Sequence, residues 1–450
     1  MKYTKVGAVS LGCSKNAVDT EILLGELTSL GFTVVSDPKS AEIIIVNTCG
    51  FIESAKTDSL DAILDMARYK YPSDNCRLLV VTGCLSKRYP EELKQELPEV
   101  DLFWGVKDYP SLAKKLAALA GAGESDARSG GIIRCAGTSR LLTTPPYRAY
   151  LRIADGCDNR CTYCAIPLIR GGRVSFPMEQ LVSEARALAG SGVTELTVIA
   201  QDTSAYGIDL YGRPMLQELL GELSRIEKLH WIRVLYAYPN TVTEALVDAI
   251  VADKKIVNYI DMPVQHISSG MLKRMNRHGS AEHIRRITSY IRSAAPDFIL
   301  RTTVMTGFPG ETEADHEELM RFLTEFPFDR VGAFTYSAED GTPAADMPDQ
   351  VDPETARRRL DEIMRLESRI SLELNKRRVG KTAEVLVESV EKHVDGGFKV
   401  IGRSYAEAAD VDGSILLTSR TAPKRGEYVL AKITAAGEYD LEGEIVPNDR

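Results

Sequence analysis

The chain lacks the features of a membrane or exported protein. None of its apolar runs approaches the roughly 20 residues that a membrane-spanning helix needs. Its first residues, MKYTKVGAVSLGC, start a strand-like run and lack the charged start, apolar stretch and cleavage site of a signal peptide. We therefore expect a cytoplasmic protein without membrane contact, in a compartment where thiols stay reduced. The eight cysteines are then better explained as metal ligands or redox groups than as disulfides.

The chain also lacks an excess of positive charge. Its 55 Lys and Arg residues stand against 64 Asp and Glu residues, which gives a net charge of −9 at pH 7. This balance counts against broad nucleic-acid binding by the whole chain, since phosphate contacts require Lys and Arg. There is no fixed-period repeat, and the one Gly/Ser-rich stretch, GAGESDARSGG at 121–131, predicts a linker.

At 450 residues the chain is long enough for two or three domains. The first third alternates continuous apolar segments with amphipathic ones. Strands are predicted at 5–11, 41–48, 77–83 and 102–106, and helices at about 16–30, 53–68, 87–96 and 110–120. Apolar strands that alternate with helices are typical of a doubly wound parallel sheet covered on both faces. We assign this domain to residues 1–125 and a linker to 126–145.

The alternation restarts after the linker. Six further strands are predicted at 149–155, 195–202, 231–239, 259–265, 298–310 and 330–337, with helices between them. Six such units favour an open or partial (β/α)6 barrel over a closed eight-stranded one. A long charged helix follows at about 353–376, and this second domain is assigned to 146–376. Residues 377–450 change to short strands with Gly turns, which predicts a small five-stranded antiparallel β-barrel of the OB-like kind.

Three cysteines lie within eight positions in RIADGCDNRCTYCAIPLIRGGR, residues 152–173, directly after the first strand of the second domain. The spacing of Cys157, Cys161 and Cys164 is C-x3-C-x2-C, and no second C-x2-C pair lies nearby to complete a structural zinc site. Three thiolates on a [4Fe–4S] cluster would leave one iron open to a small molecule. A zinc or redox loop is the alternative interpretation.

Three more cysteines each follow a strand of the first domain. Cys13, Cys49 and Cys84 end the runs SLGC, IVNTC and VTGC. Ligands of a doubly wound sheet bind beyond the carboxyl ends of its strands, so these thiols should meet at one edge. They suggest a second three-thiolate cluster, with three buried structural cysteines as the alternative. Cys76 and Cys135 are read as structural.

The C-x3-C-x2-C motif resembles that of the radical S-adenosylmethionine (SAM) superfamily, which carries it on a partial (β/α)6 barrel. The resemblance implies that Tyr163, the aromatic before the last cysteine, packs near the adenine of SAM. It extends to RTTVMTGFPGET, 301–312, where Gly307 and Gly310 let the backbone approach a ligand, although a plain helix start at Glu311 explains this turn equally well.

SLGCSKNAVDTE and NTCGFIESAKTDS resemble the methylthiotransferases, which are radical SAM enzymes with a second N-terminal cluster and a C-terminal TRAM barrel. The resemblance covers essentially the whole chain, and all six cysteines match in order. It implies that one [4Fe–4S] cluster and SAM generate a radical, and that the second cluster holds the sulfur that is methylated and transferred. A sulfur donor and a reducing partner such as flavodoxin or ferredoxin are then required.

Two branches of the methylthiotransferases compete, one acting on an adenosine of tRNA and one on an aspartate of the small-subunit ribosomal protein number twelve. GCSKN, GFIESAK, QDTSAYG and PVQHIS resemble the second branch. From Arg378 to Arg450 there are 10 Lys and Arg against 13 Asp and Glu, a net charge of −3, which suits a basic protein partner better than tRNA. A tRNA-modifying enzyme remains one alternative, and an iron–sulfur scaffold or electron carrier is another.

The polar residues that orient the substrate are not evident from the sequence. Arg170, Arg173, Gln201 and Arg301 lie near predicted strand ends or the cysteine loop, and each is a candidate that a surface or salt-bridged role explains equally well. His266 is read as a packing or hydrogen-bonding residue in preference to a catalytic one.

Overall fold

A computed structural model describes residues 3–121, 131–135, 138–393 and 396–447 of the chain. It divides the chain into two compact units. The first unit comprises residues 1–201, 206–215 and 337–346, and the second comprises residues 202–205, 216–336 and 347–450. Among the described residues, no helix is both long enough and apolar enough to cross a membrane.

The first unit begins with a five-stranded parallel sheet in the order β2-β1-β3-β4-β5. Its elements are β1 (Lys5–Ser10), α1 (Ser14–Ser29), β2 (Thr33–Val34), β3 (Ile43–Thr48), α2 (Glu53–Ala67), β4 (Leu78–Gly83), α3 (Cys84–Arg88), α4 (Pro90–Glu96), β5 (Leu102–Phe103) and α5 (Tyr109–Leu119). The apolar run of β3 alternates between two cores, with Ile43 and Ile45 against α1 and α5, and Ile44 and Val46 against α2. Both faces of the sheet are therefore covered, as the continuous apolar strands predict.

The rest of the first unit carries the cysteine loop. Its elements are β6 (Ile133–Cys135), β7 (Thr138–Arg140), β8 (Arg148–Arg152), β9 (Ala154–Asp155), α6 (Ile166–Arg170), β10 (Val174–Ser175), α7 (Met178–Gly190), β11 (Glu195–Ile199) and α8 (Ile208–Tyr211). β8 pairs in parallel with β11, and β9 pairs with β10 in a short antiparallel ladder. The ladder brackets the loop that carries Cys157, Cys161 and Cys164.

Part of the expected linker, residues 126–130 and 136–137, lies outside the described residues. Its described part forms the β6–β7 hairpin and contacts α1. Arg140 at the end of β7 is fully buried and donates to the carboxylates of Glu21 and Glu184. The backbone N–H of Leu141 bonds to the Glu21 carbonyl at 3.0 Å. This second half of the linker is thus a packed part of the first unit.

Residues 337–346 also belong to the first unit, although they follow the six strands of the central region in sequence. Glu339 accepts ion pairs from Arg88 on α3, at 2.6 Å, and from Lys56 on α2, at 3.2 Å. The Tyr89 hydroxyl donates to the Asp340 carboxylate at 2.9 Å. Because Glu339 is 2% exposed, these pairs are largely shielded from water and fasten the segment to the first domain.

The second unit holds four parallel strands and their helices. The elements are α9 (Leu216–Ser224), β12 (Trp231–Val234), α10 (Glu244–Ala252), β13 (Ile256–Asp261), α11 (Ser269–Arg274), α12 (Ala281–Ala294), β14 (Ile299–Thr306), α13 (Glu313–Glu325), β15 (Arg330–Thr335) and α14 (Pro353–Lys376). β12, β13, β14 and β15 pair in parallel in chain order. The α14 bounds agree with the helix predicted from the charged sequence.

The second unit ends in a closed barrel with the strand order β16-β17-β18-β20-β19. The strands are β16 (Thr382–Lys392), β17 (Phe398–Arg403), β18 (Ile415–Ser419), β19 (Tyr428–Ala436) and β20 (Leu441–Ile445). The sequence predicts an antiparallel barrel, but β18 and β20 pair in parallel. Strand directions cannot alternate all the way round a ring of five, so closure requires at least one parallel pair. The two parallel regions and this barrel confirm the predicted fold class.

A buried carboxylate anchors the loop between β17 and β18. Glu407 is 1% exposed and accepts ion pairs from Arg378 and, at 3.4 Å, from Arg330. It also accepts hydrogen bonds from the backbone N–H and the hydroxyl of Ser404, at 3.0 and 2.7 Å. Burial opposes ionisation, but Arg378 and Arg330 outweigh it and lower the pKa of Glu407 to about 2.

Replacing this carboxylate should destabilise the second unit in a pH-dependent way. We expect Glu407→Gln to lower the free energy of unfolding at pH 7 by about 3 kcal/mol, because it leaves Arg378 and Arg330 buried without their anion. The folded pKa lies below the unfolded value, so the stabilisation is complete above about pH 5 and is lost as the pH falls towards about 2. Urea unfolding from about pH 2 to pH 7 measures the difference in unfolding free energy between variant and wild type. Glu91→Gln, at an exposed position, serves as the control. Equal stability at pH 7 would contradict the expectation.

Candidate functional site

The carboxyl ends of three adjacent strands bring together the three thiols of the first domain. Cys13 is the N-cap residue of α1 after β1, Cys49 directly follows β3, and Cys84 directly follows β4. Gly12 shows how closely the first two loops approach, because a Cβ built on it would lie 3.0 Å from the Cys49 Sγ atom. Gly12 has a φ of +88°, which a residue with a side chain rarely adopts. The strand edge therefore gathers the thiols as the sequence predicts.

Asn16 ties the three cysteine loops to one another. Its amide nitrogen donates to the carbonyl of Leu11 at 2.9 Å and to that of Thr48, the residue before Cys49, at 3.0 Å. Its amide oxygen lies 3.7 Å from the Cys84 Sγ atom. Since Asn16 is fully buried in the first turns of α1, it holds all three loops in one arrangement without competition from water.

The thiols of this set influence one another electrostatically. Burial raises the pKa of Cys84 most, Arg170 opposes it, and the neighbouring Cys13 and Cys49 add smaller increases, so that the pKa lies at about 12. Burial also raises the pKa of Cys49, with Cys13 adding to the effect. This like-charge coupling agrees with the placement of the three thiols at one edge of the sheet. The positive iron ions of a metal cluster would offset the repulsion between the sulfur atoms and hold all three as thiolates.

Three residues that are close to these cysteines in sequence or interact with them electrostatically carry a buried polar atom with no hydrogen-bond partner among the described residues. These atoms are the hydroxyl of Ser14, the amide oxygen of Asn47 and the hydroxyl of Tyr109. Ser14 follows Cys13, Asn47 lies two residues before Cys49, and the Tyr109 hydroxyl is close enough to Cys84 for the thiol to raise its pKa, after burial and Asp19. An unpaired polar atom on the residue next to a cysteine, as at Ser14, fits a site that a bound group completes.

The loop with the second set of thiols has glycines at both of its ends. Gly156 has a φ of +75°, and a Cβ on it would lie 2.1 Å from the Gly172 carbonyl oxygen. The Cys157 backbone N–H donates to the Gly171 carbonyl at 3.1 Å, and that of Cys164 donates to the Cys161 carbonyl at 3.0 Å. Cys161 is buried, whereas Cys157 and Cys164 are half-buried. The loop thus presents its thiols from a fixed backbone.

Arg170 connects this loop to the first set of thiols within the same unit. Its guanidinium donates to Asp155 at 3.1 Å and, across the domain, to Asn16 and Asp19 at 2.8 Å. It also lies 3.8 Å from the Cys84 Sγ atom. The backbone carbonyl of Arg170 accepts a hydrogen bond from Lys107 Nζ at 2.6 Å. One arginine therefore links the two cysteine sites through side-chain contacts.

Each thiol set offers three sulfur donors, which is the donor type of iron–sulfur ligation. The structure forms no disulfide between the described cysteines. No group of three or more His, Cys, Asp or Glu side chains within the described ranges is arranged to hold one ion. A [4Fe–4S] cluster binds each thiolate to a different iron, so its ligands need to surround a larger volume. Each set of three thiols matches that requirement in number and donor type.

Family models and curated relatives match the chain from its first domain to the barrel. Family models match residues 5–105 (Uncharacterized protein family UPF0004), 151–323 (Radical SAM superfamily) and 379–446 (TRAM domain). The chain is 46% identical over 444 residues to the ribosomal protein uS12 methylthiotransferase RimO of Citrifermentans bemidjiense, with 98% of each chain covered. It is 45% identical over 449 residues to RimO of Caldicellulosiruptor saccharolyticus, with 98% of this chain and all of the relative covered. The chain belongs to the RimO family.

Solved structures support the fold of this RimO family member. The radical S-adenosylmethionine methyltransferase TsrM from Kitasatospora setae, with cobalamin and a [4Fe-4S] cluster bound, matches with a TM-score of 0.55 and 14% identity. The match covers 85% of this chain and 81% of TsrM. At this identity the likeness concerns the fold alone. The predicted family, the branch within it and the enzyme class are confirmed by the RimO relatives.

The glycine turn of this RimO family member has its own packing reasons. A Cβ at Gly307, where φ is +72°, would lie 2.4 Å from the Ala356 Cβ on α14. Gly310, with a φ of +80°, lies against the guanidinium of Arg274. α13 begins after this turn, at Glu313, with a capping box between Thr312 and Asp315. Close approach of α14 therefore explains the glycine at 307, and a role in binding SAM stays a prediction.

Glu311 and His266 form a buried pair next to this turn. His266 Nε2 lies 3.4 Å from the Glu311 carboxylate, which also accepts from the Gly307 N–H and, at 3.0 Å, from Arg359. Burial opposes ionisation, but these partners hold the pKa of Glu311 below its usual range. His266 Nδ1 accepts from two backbone N–H groups, at 2.9 and 3.0 Å. This geometry agrees with the hydrogen-bonding role that the sequence favours for His266.

The remaining candidate residues lie in ion pairs, in the cysteine loop or beside Asp155. Arg301 pairs with Asp261 at 2.9 Å and with Asp412 at 3.5 Å. Arg173 lies 3.9 Å from Asp158, and Tyr163 is half-buried in the cysteine loop. The Gln201 amide donates to Asp155 at 3.3 Å, and its oxygen is buried without a partner in the described part of the chain.

Two residues at the centre of the site do not emerge from the sequence reasoning. Asn16 and Asp19 lie in a helix, and their contacts with Arg170 span 154 and 151 positions. The available signal is the GCSKN motif, which places a small polar amide three residues after Cys13. A polar residue that close to a predicted ligand is a reasonable candidate for positioning it. Cys76, read as structural, is fully buried in the core beside α2.

Proposed function

We propose that this chain adds a methylthio group to the β-carbon of an aspartate in ribosomal protein uS12. The observation that supports the proposal is the presence of two three-thiol sets within one unit of a chain that covers at least 98% of these RimO relatives. One set follows β1, β3 and β4, and the other occupies the loop after β9. A reaction that needs both a radical and a sulfur atom requires two such sites, whereas an electron carrier needs neither SAM nor a second open iron.

We assign a [4Fe–4S] cluster and SAM to Cys157, Cys161 and Cys164, and a second [4Fe–4S] cluster to Cys13, Cys49 and Cys84. When bound, these groups supply a 5′-deoxyadenosyl radical and the methylthio sulfur. In this proposal Tyr163 packs against the adenine of SAM, and the turn with Gly307 and Gly310 contributes backbone to its binding.

The chain's own residues fix and shield the two sites. Asn16 keeps the loops of the first set in register, and Arg170 fixes the position of α6 relative to Cys84. Val106 packs with Cys84, Ala165 and Ile169 in an apolar cluster that excludes water from the space beside the thiol. Water exclusion protects a reactive intermediate from side reactions, which suits radical chemistry.

The substrate assignment can be tested with purified components. After anaerobic reconstitution with iron and sulfide, and with SAM and dithionite present, the enzyme should convert uS12 to a product that carries one methylthio group on an aspartate. Mass spectrometry of the peptides locates the group. Unfractionated tRNA treated in parallel should contain no methylthioadenosine. A tRNA product formed as fast as the uS12 product would overturn the substrate assignment and leave the radical chemistry standing.

We further propose that the acidic barrel binds the basic uS12 surface. Glu407 and Asp412, although counted in its acidic excess, are buried side chains in ion pairs. Glu442 and Glu444 are exposed on β20 and are therefore available to a partner. Electrostatic complementarity of this kind acts mainly on the association rate and weakens with salt.

The Glu442→Lys/Glu444→Lys variant should lower kcat/KM for uS12 by about 10-fold at low salt, and by less at high salt. Reductive cleavage of SAM should be unchanged, because the barrel carries none of the thiols. Glu91→Lys/Glu92→Lys on α4 makes the same charge change at exposed positions of the first unit and serves as the control. An equal loss in both variants would show that net charge, and not the barrel, governs the association.

The reaction also requires partners outside the chain. We propose a low-potential electron donor such as flavodoxin or ferredoxin and a separate sulfur donor. Ribosomal protein as substrate and six reduced thiols as ligands both fit the cytoplasm.

A further inference from the structure

Arg170 ends α6, after the Cys157 loop, yet its guanidinium lies beside a thiol of the other set. Its Nη2 atom is 3.8 Å from Cys84 Sγ and 2.8 Å from both Asn16 Oδ1 and Asp19 Oδ2. Its Nη1 atom donates to Asp155 at 3.1 Å. The side chain is 2% exposed. A fixed positive charge, shielded from water, therefore stands against one of the three thiols.

The surrounding carboxylates hold this charge in place through ion pairs with the guanidinium. Asp19 accepts from Arg170 and also from Arg152, so it is shared between two guanidiniums. Among the described residues, the Cys84 thiol has side-chain hydrogen bonds to Arg170 and Asn16 and none to a carboxylate. The charged group in direct contact with the sulfur is therefore the arginine.

A positive charge at this distance favours the reduced form of an iron–sulfur cluster. Reduction transfers one electron from an external reductant to the cluster, and the cluster with its thiolates becomes more negative by one charge. Reduction potentials depend on the net charge, the hydrogen bonds to sulfur and the solvent exposure of the cluster. In a buried site the Coulomb interaction is only weakly screened by salt and water.

We propose that Arg170 is a positioning residue that raises the reduction potential of the cluster on Cys13, Cys49 and Cys84, and that Asp19 limits the rise. The inference rests on the proposed function, because it requires that these cysteines hold a cluster. Arg170, which follows Cys157, Cys161 and Cys164 in sequence, thereby has a direct electrostatic effect on the cluster held by the other three cysteines. Arg170 would accordingly act through the Cys84 ligand and not on the substrate.

The test uses full-length protein in which Cys157, Cys161 and Cys164 are alanine, so that a single cluster gives the signal. In this background, redox titration followed by electron paramagnetic resonance gives the midpoint potential. Arg170→Gln should shift it to more negative values, and Arg170→Lys, which keeps the charge, should stay near the starting value. Asp19→Asn should shift it in the opposite direction, to more positive values.

Arg140→Gln is the matched control, since Arg140 is an equally buried arginine in the same unit that pairs with Glu21 and Glu184. It should leave the midpoint potential unchanged. A fully loaded Arg170→Gln cluster at the starting potential would overturn the inference, as would equal shifts in the glutamine and lysine variants. If Arg170→Gln fails to fold, the sign of the shift in midpoint potential caused by Asp19→Asn decides whether the inference holds. A background protein without iron would instead overturn the cluster assignment itself.

Discussion

The variant with Cys157, Cys161 and Cys164 all changed to alanine should lose reductive SAM cleavage completely and bind about four irons in place of about eight. The three thiols lie in one folded loop, and in the proposed assignment they are all the ligands that the protein offers to that cluster. Without them no iron remains to bind SAM by its amino and carboxyl groups. Iron analysis after anaerobic reconstitution gives the first quantity, and chromatography of 5′-deoxyadenosine gives the second.

A matched control for this variant is Cys76→Ala. Cys76 belongs to the same unit, but its thiol is buried in the core and donates to the Leu78 carbonyl at 3.3 Å. Its loss should lower stability slightly and leave both iron content and SAM cleavage unchanged. Undiminished iron in the triple variant would show that the loop does not hold a cluster.

Changing Cys13, Cys49 and Cys84 to alanine should separate the two halves of the reaction. We expect this variant to cleave SAM at a rate near that of the wild type, because the Cys157 loop is intact. It should form no methylthiolated uS12, because the sulfur-holding site is lost. Product formation is followed by mass spectrometry of uS12, and 5′-deoxyadenosine is measured in the same samples.

The expected pattern, cleavage without transfer, distinguishes the proposal from a purely structural role. Three buried structural cysteines would, on removal, lower both activities together through unfolding. Circular dichroism of the variant therefore accompanies the assay. Full product formation by a folded triple variant would show that the first domain holds no catalytic cluster.

The sequence predicts the scaffold of the site well because local patterns determine it. The continuous apolar runs predict β1, β3 and β4 to within two residues, and the position of a cysteine after each run then places three thiols at one sheet edge. That inference needs only the rule that parallel strands end on the same side. The long helix α14 is equally evident from its charge pattern and its proline start.

Contacts between distant segments are not visible in such patterns. Nothing in the local sequence of Arg170 indicates that it reaches Asn16 on α1, and nothing near Glu407 distinguishes this buried carboxylate from the exposed ones on β20. The glycine at 307 is explained by Ala356 on another element. In each case the decisive partner lies at least 29 positions away, beyond the range of helix or strand periodicity.

The segment Ser337–Asp346 has a consequence for how the protein is made. Glu339 and Asp340 complete the first unit through Arg88, Lys56 and Tyr89, yet they are synthesised some 250 residues after those partners. The ribosome adds roughly 5–20 residues per second, so the nascent first unit lacks the segment Ser337–Asp346 for more than roughly ten seconds. A bound cluster can therefore be enclosed by a finished first unit only after residue 346 has been synthesised.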